Sequence, residues 1–314
     1  MLRAWIAAAA VLMSASGAHA AERPRVAITV DDLPYAHGSP EPVTRTDAAR
    51  ATEINRVLLK AFKAHHAPAV GFVNQQTAER IGAPAGAHVL KAWTAPGFDL
   101  GNHLYAHDDT NALTTEQIEQ QIMQGEPMIR DALARAGRKP RFLRFPFNHT
   151  GDTAAKHDAV AAFMATRGYR LAPCTIEAED FAFNRPYELA LKRRDQETAA
   201  RIRKAYVDFT AAEIDWYAKL DSQVLGREAP HVMLLHASVL NRDAVSEVLA
   251  LFEQRGFRFI ALDEALKDSA YATPETVTKF GPMWGYRWAR ALGVKVRGQD
   301  EPERPAWVGQ YAGG

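Results

Sequence analysis

Val26-Ala27-Ile28-Thr29-Val30, running straight into Asp31-Asp32, is the stretch that decides how the chain is read. A short apolar run, bounded and rich in β-branched residues, is the pattern of a buried strand. Two adjacent carboxylates at its end deliver acid groups to one rim of a sheet. Strand-like runs recur at Ala69–Val73, Phe98–Asn102 and Phe142–Phe145, and again at Tyr169–Leu171, Val232–Leu235 and Phe257–Ile260. Helical patterns lie between them. Asp47–His65 carries Ile54, Val57, Leu58, Ala61 and Phe62 at helical spacing, Thr114–Gly137 opens on a capping threonine, and Arg242–Arg255 stops at Gly256. This alternation predicts an α/β fold with a parallel sheet or barrel. Asp31, His103, Arg144 and His236 each follow a strand, at the end where α/β barrels keep their chemistry. Residues 187–226 break the rhythm as a long, charged helical stretch and read as an insertion on the barrel. The tail after about Ala272, rich in Pro, Gly and Trp, reads as a C-terminal extension wrapped on that barrel over 273–314.

Composition narrows the function classes. Arg3, the apolar run Ile6–Met13 and the small-x-small pattern Ala18-His19-Ala20 predict a cleaved signal peptide over residues 1–20, hence an exported protein, periplasmic or extracellular. That apolar run is too short to span a bilayer comfortably, so the mature chain is expected to have no membrane span. The formal charge is +1 and falls to zero without Arg3. A neutral chain offers no electrostatic case for nucleic acid or an anionic membrane. Cys174 is the only cysteine, which excludes an internal disulfide and a thiolate metal cage. Set among Leu171, Ala172, Pro173 and Ile176, it reads as a small buried hydrophobe.

His103 and His107 stand four residues apart, a common way to offer two nitrogens to one metal ion. With 11 histidines in the chain, such a pair arises by chance nearly as often as not, so the spacing alone decides nothing. Asp31-Asp32 taken alone fits a turn or helix cap equally well. Their company in the sequence changes that.

Thr29-Val30-Asp31-Asp32, His103-Leu104-Tyr105-Ala106-His107, Arg144-Phe145-Pro146-Phe147, Glu177-Ala178-Glu179-Asp180-Phe181 and Leu234-Leu235-His236 come in that order, each near a strand end. Together they resemble the motifs of the NodB-type polysaccharide deacetylases, carbohydrate esterase family 4, over about residues 25–267. The resemblance implies a distorted (β/α)7-type barrel carrying the helical insertion near 187–226. It implies that Asp32, His103 and His107 hold a divalent ion, zinc first and cobalt or another ion next, with an open position for water. Asp31 is then the general base and His236 the general acid, raised in pKa by Asp180. Arg144 orients Asp31 and keeps it ionised, and the backbone N–H of Phe147 helps hold the oxyanion.

The sequence departs from the family pattern at three places. Leu33-Pro34 replaces the glycine that usually follows the two aspartates, Phe147 replaces tyrosine, and Phe181 replaces tryptophan. None removes a ligand, base or acid. Asp108 and Asp109 read as turn acids or as supports of the metal site. Asn148, His149 and Asp152 line a substrate groove or simply satisfy a loop. Trp284, Tyr286 and Trp288 pack or stack on sugar rings, packing being the commoner fate of such a pattern.

The resemblance implies a secreted deacetylase that hydrolyses N-acetyl groups of an amino-sugar glycan, chitooligosaccharide or peptidoglycan-like, and releases acetate. The alternatives are an O-acetyl esterase on xylan or a similar glycan, and a non-catalytic carbohydrate-binding protein on the same scaffold.

Overall fold

β1 (Arg25–Leu33) lies at the heart of the sheet and is almost wholly buried. It pairs in parallel with β2 (Ala69–Val73) on one side and β6 (His231–His236) on the other, and at its start with β7 (Arg258–Phe259). β3 (Phe98–Asn102), β4 (Phe142–Leu143) and β5 (Arg170–Leu171) continue outward from β2, giving the order β5-β4-β3-β2-β1-β6. Every pairing among these strands is parallel, and the sheet curls into a half-barrel with helices around it, a distorted (β/α)7 barrel. The computed structural model describes residues 23–313, so the signal segment expected over 1–20 lies outside the described residues.

Alternation along β1 sorts its side chains between two cores. Val26, Ile28 and Val30 join the large cluster under the helices. Ala27 points the other way, into the barrel interior, with Val70, Phe72, Phe142, Val232 and Ile260. Thr29 and Asp31 continue that inward face, so the barrel interior leads directly to the acid.

The helices follow their sequence signals. α1 (Ala48–Ala64) buries Ile54, Leu58 and Phe62 along one stripe, behind the capping box of Thr44 and Asp47. α2 (Gln75–Arg80) and α3 (Ala83–Ala92) come next. The helix expected over 114–137 is two helices, α4 (Thr115–Gln124) and α5 (Pro127–Arg135). Pro127 lacks the N–H that would continue the ladder and disfavours helix in the residue before it. α6 (Ala154–Thr166) precedes β5. The charged stretch is also a pair, α7 (Asp180–Lys192) and α8 (Gln196–Leu225), parted where Arg194 takes φ 60° and Asp195 caps α8. α7 therefore starts at Asp180, earlier than the helical pattern suggests.

α9 (Val239–Gln254) packs against α1, α7 and α8 and closes the barrel wall after β6. Short α10 (Leu262–Ala265) covers the start of β1. In the C-terminal segment α11 (Trp284–Leu292) packs on α8, and α12 (Ala306–Tyr311) packs on α7. Trp284 and Trp288 are buried, and Tyr286 donates its hydroxyl to Glu301 at 2.7 Å. The aromatic stripe is packing, not a sugar platform. No helix among the described residues is long and apolar enough to cross a membrane.

Candidate active site

The pairing of β1 with β2 slips by one residue between Val30 and Leu33, a β-bulge at Asp31-Asp32. Asp32 sits there with φ 60°, a conformation costly for a side chain bearing a Cβ. Bulges re-aim side chains at sheet ends. This one lets consecutive carboxylates serve one site instead of pointing to opposite faces.

His103 follows β3 directly, its N–H donating to the Val73 carbonyl at 3.0 Å. Its Nδ1–H donates to the Arg144 carbonyl at 2.8 Å, which fixes the tautomer and leaves Nε2 as the free lone pair. Burial, then the neighbouring His107, push its pKa down to about 3, so the ring is neutral. His107 reaches the same place from a turn at φ 60°. With its amide turned so that the oxygen faces the His107 N–H, Asn74 stitches that turn, accepting there at 3.1 Å and donating to the Tyr105 carbonyl at 2.9 Å.

The Oδ1 atom of Asp32 lies 3.6 Å from Nε2 of His103 and 3.4 Å from Nε2 of His107. One ligand atom from each of the three lies within 4.8 Å of the others. That Asp32 oxygen is buried without a hydrogen-bond partner. Such an orphan is costly unless something positive sits beside it. One carboxylate and two imidazoles with an orphaned, converging oxygen fit a divalent ion, and as three ligands they leave a coordination position open.

Asp31 faces elsewhere. Arg144, on the loop after β4, is 1% exposed and donates from Nη1 to Asp31 Oδ1 and to Thr29 Oγ1, both at 2.8 Å. Its Nε donates to the Ala172 carbonyl at 3.0 Å, and its guanidinium lies over the Phe72 ring. Asp31 Oδ2 is left on the side of His103, 3.8 Å from Nε2. A buried guanidinium on one oxygen fixes the direction of the carboxylate.

His236 ends β6 on the opposite side of the pocket. Its Nδ1–H donates to Asp180 Oδ1 at 2.6 Å, and its backbone N–H donates to Asp180 Oδ2 at 2.7 Å. Asn241 also donates to Oδ2 of Asp180, and Tyr206 donates to Asn241 Oδ1 at 2.8 Å. Burial alone would lower the pKa of His236. The charge and hydrogen bond of Asp180, with smaller help from Asp32 and Asp31, raise it to about 10. Burial works to raise the Asp180 carboxyl, and His236 with the donors around it brings it below the ordinary carboxylate value.

Asp31, Asp32, His103, His107 and His236 line one cavity of about 390 Å³, within the usual range for small-molecule sites. Phe147 and Phe181, both more than half exposed, form parts of its wall. Phe147 takes φ 58° and its ring meets His107 edge-on at 4.9 Å. Glu177 also lines the cavity, and burial raises its carboxyl to about 7.

Residues 18–165 match the sequence model of the polysaccharide deacetylase family. That segment is a polysaccharide deacetylase domain. The matched segment of this polysaccharide deacetylase relative holds Asp31, Asp32, His103, His107, Arg144 and Phe147. Asp180 and His236 lie beyond it. Three solved structures share the fold. A polysaccharide deacetylase from Bacillus cereus is 17% identical with TM-score 0.52, covering 76% of this chain and 92% of its own. A chitin deacetylase from the fungal pathogen Colletotrichum lindemuthianum is 22% identical with TM-score 0.50, covering 79% and 90%. A mutant of a CE4 family pseudoenzyme from Bacillus anthracis is 15% identical with TM-score 0.51, covering 78% and 68%. No curated protein matches the sequence. Metal dependence is general in the family.

The structure brings Asp31, Asp32, His103, His107, Phe147 and His236 to one cavity, with Arg144 and Asp180 directly behind two of them. Asp109 pairs with His149 at 2.7 Å and Asp152 with Lys156 at 2.8 Å, both away from the cavity lining. Asn148 does line it, and buried Cys174 donates to its Oδ1 at 3.5 Å. Burial raises the Cys174 thiol well above its ordinary value, so it stays an inert thiol. Sequence reasoning missed Asn241 and Tyr206 behind Asp180, Glu177 on the wall, and Gly281 and Arg287 from the C-terminal segment. A lone arginine amid the aromatic run Trp284-Gly285-Tyr286-Arg287-Trp288 was the one available signal for the last.

Proposed function

We propose that the chain is an exported, metal-dependent deacetylase that hydrolyses the N-acetyl groups of an amino-sugar glycan, chitooligosaccharide or peptidoglycan-like, and releases acetate. The observation that carries this reading is the split of the neighbouring carboxylates: Asp32 converges on two imidazoles while Asp31 is held off by Arg144. A divalent ion held by Asp32, His103 and His107, zinc in the first instance, supplies Lewis-acid polarisation of the acetyl carbonyl and activation of a water. Asp31 Oδ2 accepts the water's proton as its oxygen adds to the acetyl carbon. The backbone N–H of Phe147 stabilises the oxyanion that results. As the C–N bond breaks, His236 delivers its Nε2 proton to the departing amine, and Asp180 steadies the imidazolium before that transfer. The products are acetate and a free amino sugar.

A pKa of about 10 keeps His236 protonated throughout the neutral range. That favours amide over ester cleavage, because an amine cannot leave without a proton whereas an alkoxide leaves more readily. It also weighs against a purely carbohydrate-binding role, which needs no such acid. Export rests on Arg3, the run Ile6–Met13 and the Ala18-His19-Ala20 pattern. The test is acetate release from a panel of N-acetylated and O-acetylated glycans, with Asp31→Asn as control. Release from N-acetyl substrates by the parent chain alone supports the proposal. Release only from O-acetyl substrates supports the esterase, and release from none supports the binding protein.

A further inference from the structure

Resting on the reading of the Phe147 N–H as oxyanion donor, we propose that Arg287 is a positioning residue that holds the 147–150 loop in its working shape. Phe147 and Asn148 are consecutive non-glycine residues at φ 58° and φ 53°. Such a pair persists only where its surroundings over-determine it. The Phe147 ring is exposed and cannot be the anchor. The anchor comes from the C-terminal segment.

Arg287, on α11, is 2% exposed. Its Nη2 donates to the Asn148 carbonyl at 2.5 Å, and its Nη1 donates to Thr150 Oγ1 at 3.3 Å and pairs with Glu275. Thr150 in turn donates to Glu275. Nε donates to the Pro282 carbonyl at 3.2 Å, and the guanidinium lies over the Trp284 ring. One planar cation thus joins two points of the loop to two points of the C-terminal segment, a geometry suited to a guanidinium and not to a lysine. Gly281 completes the clamp, since a Cβ there would overlap the Phe147 carbonyl oxygen. The Trp284 N–H donates to the Cys174 carbonyl at 2.9 Å, tying α11 to the barrel wall. A buried arginine spending its donors on a strained loop beside the cavity does more than fill space: it sets where the Phe147 N–H points.

The test combines amide hydrogen exchange with steady-state kinetics on the full, metal-loaded chain and its Arg287→Met, Arg287→Lys and Arg287→Met/Glu275→Gln variants. The double variant removes both charges together, so it stays foldable where the single variant takes from Glu275 its guanidinium and leaves only Thr150 and His157 beside it. The expected result is exchange at residues 147–150 roughly 10-fold or more faster, with β1 and β6 as protected as in the parent. On N-acetylated glycan, kcat falls roughly 10- to 100-fold while KM stays within about threefold. Lysine restores only part of either. Loop exchange equal to the parent, or protection lost equally in β1 and β6, overturns the clamp, as does an unchanged kcat. If the parent chain releases no acetate from any glycan, it is the proposed function that fails, and the exchange data still decide the clamp.

Discussion

Asp31 and Asp32 are consecutive in the chain, yet their carboxylates have different partners: Asp31 meets Arg144 at 2.8 Å, and Asp32 lies 3.4 Å from His107. The bulge in β1 and the φ of 60° at Asp32 make this possible. In a regular strand the two would face opposite sides of the sheet. The backbone distortion gives one acidic pair two different sets of partners, as the proposed division into metal ligand and base requires.

Arg144 is as much a stability residue as a positioning one. Arg144→Met leaves the buried Asp31 carboxylate without its cation. Breaking one half of a buried pair typically costs about 3–5 kcal/mol. Thermal and urea denaturation of the variant should show a loss of that size. A change below about 1 kcal/mol would mean that the pair contributes no more than an exposed one.

The His236–Asp180 pair predicts a pH signature. His236 has a folded pKa of about 10, above its ordinary value of 6.5, so its stabilisation is complete below the ordinary value and fades as pH rises through about 10. The lowered Asp180 carboxyl acts in the opposite sense, and its contribution is lost as pH falls through the acid range. Asp180→Asn removes the main force raising His236. The alkaline limb of the kcat–pH profile should move down by at least about one pH unit. An alkaline limb that stays in place would show that some other group sets it.

Gly281 tests how closely the C-terminal segment is applied to the cavity. Gly281→Ala inserts a methyl where the Phe147 carbonyl oxygen stands. The segment must shift, and overpacking of this kind costs about 1–3 kcal/mol. We expect a lower midpoint of unfolding together with reduced acetate release. An alanine variant as stable and as active as the parent would show that the contact is loose.

Much of this architecture is legible in the residues themselves. β1 is readable because its apolar run ends abruptly in two acids, and β3 and β6 because each leads into a histidine. Pro127 marks the break in the 114–137 helix in the sequence itself. Other features leave little local trace. Tyr206 lies in the middle of α8 at helical spacing, so it reads as packing, and only the tertiary fold shows its hydroxyl reaching Asn241 behind Asp180. Arg287 sits 139 residues from the carbonyl it holds, a distance no local pattern spans. The bulge at Asp31-Asp32 is likewise a property of register between strands.

The division of labour between the two aspartates is tested most directly by measuring bound metal and acetate release side by side in Asp31→Asn and Asp32→Ala. Each protein is stripped with chelator and reloaded with zinc. Asp31→Asn should bind one equivalent of zinc per chain, like the parent, while releasing acetate roughly 100- to 10,000-fold more slowly. Asp32→Ala should lose both metal and activity. Loss of zinc from Asp31→Asn, or retention of full activity in it, would contradict the assignment of Asp31 as the base that stays off the metal.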